Sequence, residues 1–127
     1  VTAHPPFGAD PKNRYRQATP DDVEQRLYGL GKELDEATIR IQQAESEYLL
    51  AKADFEIAFA RSYMRAQGSN MKAREAMALV ECAQAKQALV NVEALLRAEK
   101  ENARRIYAHV DIARSVSVIV RAGIGAS

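Results

Sequence analysis

Few residues in this chain are suited to chemistry. It has one cysteine, Cys82, and two histidines, His4 and His109. Asp111 follows His109 by two residues, and on a helix such positions face different ways, so the pair lacks a metal-ligand spacing. Di-iron bundles carry Glu-x-x-His on facing helices, whereas here Ile106 stands three residues before His109. Gly68-Ser69-Asn70 has neither the glycine spacing nor the Lys-Ser/Thr of a phosphate loop. Cys82 falls on an apolar helical stripe, where a thiol behaves as a small hydrophobe with no base beside it. These residues predict no catalytic group, no metal, no cofactor and no small-molecule substrate. The chain reads as a non-enzyme.

The cations are the chemistry that remains. Arg97, Lys100, Arg104 and Arg105 cluster, with Arg114 and Arg121 continuing toward the C-terminus, and Lys12, Arg14 and Arg16 surround Tyr15 near the N-terminus. Such a set can hold phosphates in a salt-sensitive, sequence-independent way, and Tyr15 can stack on an unpaired base. The competing reading pairs the helical cations with Glu24, Glu33, Asp35 and Glu36, and Glu99 and Glu101 dilute the cluster from within. Internal pairing is the favoured reading, with nucleic-acid binding as the alternative.

Those cations need elements to carry them, and the composition specifies which. The chain has 127 residues, 47% apolar and 28% charged, with no Trp and only 6% aromatic residues. All four prolines lie within the first twenty residues, and no glycine occurs between Gly31 and Gly68. A sheet needs frequent turns, so the expected class is all-α with long helices. Net charge is +1, which demands neither nucleic acid nor membrane. Its distribution is uneven: residues 21–66 hold six bases and ten acids, and residues 67–127 hold nine bases and six acids.

Residues 1–18 read as an extended basic arm, because Pro5, Pro6 and Pro11 oppose helix. A helix over 19–66 follows, with Thr19 as N-cap, Pro20 in the first turn, and Asp21 and Asp22 at the positive end of the dipole. Its apolar stripe advances by fours and threes through Val23, Leu27, Leu30, Leu34, Ala37, Ile41, Ala44, Tyr48, Ala51, Phe55, Ala58 and Ser62. That is a coiled-coil period. The turn 67–70 offers Gly68 for a left-handed cap and Ser69 or Asn70 for the next N-cap.

A second helix is expected over 71–122, before a tail at 123–127. Its stripe runs Ala78, Cys82, Ala85, Leu89, Val92, Leu96, Glu99, Ala103, Ile106, Val110, Ala113, Ser117 and Val120. A short connection makes the two helices an antiparallel hairpin with arms of roughly 70 Å. Gly29 and Gly31 oppose this, each costing about 1 kcal/mol against Ala in a helix. They suggest a hinge, a delayed start, or a close backbone approach.

The hairpin has more apolar residues than its seam can bury. Ile39, Leu49, Leu50, Ile57 and Phe59 fall off the first stripe, and Leu79, Val80, Val90, Leu95, Ile112, Val116, Val118 and Ile119 fall off the second. Large apolar groups in such number mark an interaction surface. The predicted interface comprises Leu49, Leu50, Ile57, Phe59, Leu79, Val90, Leu95, Val116 and Ile119. Its expected occupant is a second copy, giving a four-helix bundle dimer or higher oligomer, with another protein as the alternative.

No apolar run approaches the ~20 residues a membrane span needs. A lone cysteine fits a reducing compartment, and the N-terminal sequence lacks a signal-peptide pattern. The expected location is the cytoplasm of a bacterial host, or a virion.

The stretches Ala51–Phe55, Arg61–Ser69 and Lys72–Ala76, with Asp111–Ser115 near the C-terminus, resemble small coiled-coil hairpin proteins encoded by phages and prophages of GC-rich bacteria. The resemblance covers about residues 30–120. It implies an accessory role in replication or recombination, or in particle assembly, and it carries no catalytic residues.

Overall fold

Thr19 starts the first helix with a reciprocal cap. Its Oγ1 accepts the Asp22 N–H at 3.1 Å, while Asp22 Oδ2 accepts the Thr19 N–H at 3.0 Å. This is a capping box with Asp in the third position, and it satisfies donors that a helix start leaves open. The structure, a computed structural model, describes residues 19–126, with side chains as far as 123. Within that span it is all-helical: α1 (Pro20–Arg65), α2 (Met71–Glu81) and α3 (Ala83–Ala126). The arm at 1–18, with Lys12, Arg14, Tyr15 and Arg16, lies outside the described residues.

Three local features depart from the sequence reading. Gly68 does not adopt the left-handed conformation; its glycine requirement is spatial instead. A Cβ there would sit 2.9 Å from Ala73 Cβ and 2.9 Å from the Arg74 nitrogen, so only hydrogen fits against the first turn of α2. Asn70 caps that turn from extended backbone, its Oδ1 accepting the Ala73 N–H at 2.8 Å.

The expected second helix is two helices meeting at Cys82, whose φ of −96° and ψ of 17° leave the helical region. The ladder is kept on both sides: Cys82 N–H donates to Ala78 and Lys86 N–H to the Cys82 carbonyl, each at 2.9 Å. No Gly or Pro lies nearby to bend the chain. The break coincides with a buried contact, Cys82 Sγ to Ser62 Oγ at 3.3 Å.

The third departure concerns the remaining glycines. α1 runs unbroken through Gly29 and Gly31, and α3 continues past Gly123 to Ala126. Nothing lies within 4 Å of a Cβ built at Gly29, Gly31 or Gly123, so no backbone packs closely there. Glycine lowers helix propensity without forbidding helix.

The chain divides into two compact units. The first joins the segment ending at Ala37 to the segment starting at Asn102, and the second is Thr38–Glu101. In the first unit Val23, Val116 and Val120 form a buried cluster with Leu27 packed against it. Leu30, Ala37, Ala103, Ile106 and Ala113 are also buried in that unit. Val116 is only 4% exposed, which corrects its assignment to an outer face.

In the second unit the buried residues are small. Ala44, Ala78 and Cys82 accompany Leu89, with Ser62 as the buried polar group at 2% exposure. Every position of both sequence stripes is buried or half-buried. Ion pairs join the segments at the margin: Arg40 Nε to Glu99 Oε2 at 3.0 Å, Lys100 Nζ to Glu45 Oε1 at 3.9 Å, and Arg65 to Glu81. Phe55, Phe59 and Tyr63 follow one another along α1, the first pair tilted with centroids 5.9 Å apart and the second stacked at 6.4 Å, and Lys86 Nζ lies 5.0 Å from the Phe55 ring. This ladder half-buries Phe59.

Candidate interaction surfaces

In the second unit the buried residues are mostly small and the outside carries large ones, whereas the first unit buries Val23, Leu30, Ile106, Val116 and Val120. Alanines supply much of the buried set, whereas Leu49, Leu50, Ile57, Leu79, Val90, Leu95 and Ile119 are exposed, as the sequence predicted. Ile39, Val80, Ile112 and Val118 join them, together with Met64, Met71, Met77, Tyr28 and Tyr107. Burying one such side chain is worth roughly 1.5–3 kcal/mol, so leaving many in water favours covering them. Two predicted interface residues do not belong to this set. Val116 completes the first unit's core, and Phe59 is held between Phe55 and Tyr63.

The outer face of α1 in the second unit has an order that the stripe reading missed. Ile39, Gln43, Ser46, Leu50, Ala53, Ile57, Ala60 and Met64 also advance by fours and threes, and all are exposed. Exposure reaches 67% at Leu50, 52% at Ile57 and 84% at Met64. The face therefore carries a second heptad seam, rotated away from the buried one. Its signal lay in the sequence, hidden because Ser46, Ala53 and Ala60 are too small to register as apolar anchors.

The cations divide between the units. Arg97 and Lys100 belong to the second, where they line a groove with Tyr48, Glu93 and Leu96. Both lie near carboxylates: Arg97 Nη2 is 3.5 Å from Glu93 Oε1, and Lys100 Nζ is 3.9 Å from Glu45 Oε1, each pair exposed. These partners differ from the expected Glu24, Glu33, Asp35 and Glu36. In the first unit Arg105 donates to Asn102 Oδ1 at 2.6 Å, while Arg104, Arg114 and Arg121 are exposed. Arg121 borders a small groove with Pro20, Val23, Glu24, Ser117 and Val120.

One polar locus remains. Ser62, Cys82, Arg61, Arg65 and Glu81 line an open groove in the second unit, floored by Ala58 and Ala85. Its Ser62–Cys82 contact is internal, and Arg65 bonds Ser62 at 3.5 Å while pairing with Glu81. The groove's buried polar atoms serve one another. His109 is exposed, and among the described residues no group of three or more His, Cys, Asp and Glu side chains could hold a metal ion. No described helix is long and apolar enough to cross a membrane. Comparison with known proteins finds no match to a family model, a curated protein or a solved structure.

Proposed function

We propose that the chain is a non-enzymatic interaction module: an antiparallel helical hairpin that associates with further copies of itself. The observation that carries this reading is the mostly small core of the second unit, Ala44, Ser62, Ala78 and Cys82 beside Leu89, with Leu49, Leu50, Ile57, Leu79, Val90 and Leu95 of the same unit outside. A core of small residues draws helices together but buries little apolar area, so a hairpin built on it gains by covering its outer faces. The pairs of the second unit support the hairpin, since α1 positions 40 and 65 meet positions 99 and 81 in reversed order. A four-helix bundle is the simplest closed assembly of two such hairpins.

The resemblance to phage-encoded hairpins supports an accessory or scaffolding role of this kind, in a host cytoplasm or a particle. Nucleic-acid binding is the weaker reading, because Arg97 and Lys100 already face carboxylates. The test is solution mass by light scattering, with Glu substituted singly at the exposed apolar positions of the second unit. An oligomer that at least one of these variants weakens supports the reading. A monomer at high micromolar concentration overturns it.

A further inference from the structure

We infer that the second heptad seam on α1 is the self-association surface, and that two copies meet there antiparallel, with Ile57 against Ala60 and Met64 against Ala53 of the second copy. This deepens the self-association reading and rests on it.

Packing selects the direction. Leu50, Ile57 and Met64 form one column at seven-residue spacing, and Ser46, Ala53 and Ala60 form the neighbouring column at the same spacing. In a parallel pair each column faces itself, so wide layers alternate with empty ones. In an antiparallel pair the columns exchange, and each large side chain meets a small one. Close-packed interiors require the second arrangement.

Charge selects the register. Asp54 and Arg61 flank the seam on one side, both are exposed, and neither forms an ion pair with another described residue. Setting Ile57 opposite Ala60 brings Asp54 of each copy beside Arg61 of the other, twice by symmetry. Sliding the copies by one heptad toward their N-terminal ends instead sets Asp54 against Asp54 across the axis, and like charges there are unfavourable. In this register Ile57 and Met64 meet small residues while Leu50 lies opposite position 67 of the second copy, outside the paired span; charge rather than packing selects it over the slid register, and every paired residue lies within the second unit.

The experiment is sedimentation equilibrium on the full chain, with helicity of each variant checked by circular dichroism. The variants are Asp54→Arg, Arg61→Asp, the double reversal, and Ile57→Glu. Either single reversal should weaken the dimer roughly tenfold, and the double reversal should restore it. Ile57→Glu should weaken it by roughly 100-fold, because each copy carries the change. A wild-type dimer that neither Ile57→Glu nor the single reversals alter overturns this surface and register while leaving self-association standing. A dimer weakened by Ile57→Glu but not rescued by the double reversal overturns the register. A wild-type monomer overturns both readings.

Discussion

Gly31 and Gly68 share a residue type and have opposite consequences. At Gly31 a Cβ meets nothing within 4 Å on a continuous helix, so Gly31→Ala should stabilise the fold by about 1 kcal/mol. At Gly68 the same methyl collides with Ala73 and the Arg74 nitrogen, so Gly68→Ala should destabilise by about 1–3 kcal/mol. Urea unfolding at one fixed protein concentration reads both signs. The sequence marked both glycines as exceptional without separating them, because spacing along a chain carries no information about free volume. Cys82 was legible in the same partial way. Its stripe position predicted burial, which the structure shows, but not the contact with Ser62 or the break in the helix. Buried against Ser62, the thiol should react with an aromatic disulfide reagent only as fast as the helices open. Rapid, stoichiometric labelling of folded protein would argue against that burial.

For elements, the start signals were the most legible feature. Thr19-Pro20-Asp21-Asp22 predicted a cap, and the reciprocal Thr19–Asp22 bonds supply it. Such signals are local, so neighbouring residues suffice to specify them. Asn70→Ala should cost about 1 kcal/mol, since Asn70 holds the first turn of α2 through Ala73. Replacement by Asp or Ser should recover most of that loss, which thermal unfolding would measure; an unchanged midpoint in Asn70→Ala would mean the cap contributes nothing. The stripes were equally readable, because a 3.5-residue period is a property of one helix. Ion-pair partners were not. Glu24, Glu33, Asp35 and Glu36 were reasonable partners for the basic residues by charge alone, yet Lys100 meets Glu45 and Arg97 meets Glu93 of its own helix. Partner choice depends on register and rotamer, which composition does not contain. Val116 illustrates the same limit: one step off the stripe, it still turns inward beside Val23 and Val120.

In the molecule as a whole, the feature to explain is where its large apolar side chains go. Leu50, Ile57 and Met64 are more than half exposed, while Ala37, Ala44 and Ala78 are buried. Composition showed an alanine-rich chain, and the stripes showed that alanine would line the seam. The outer heptad was overlooked because alternate members are Ser46, Ala53 and Ala60. If covering those residues drives assembly, the unfolding midpoint must rise with protein concentration by mass action. The most direct test is the molar mass of the full chain by sedimentation equilibrium from low to high micromolar concentration. Self-association through α1 predicts twice the 14.0 kDa chain mass at the upper end, falling toward the single-chain value on dilution. A constant 14.0 kDa throughout that range would contradict it.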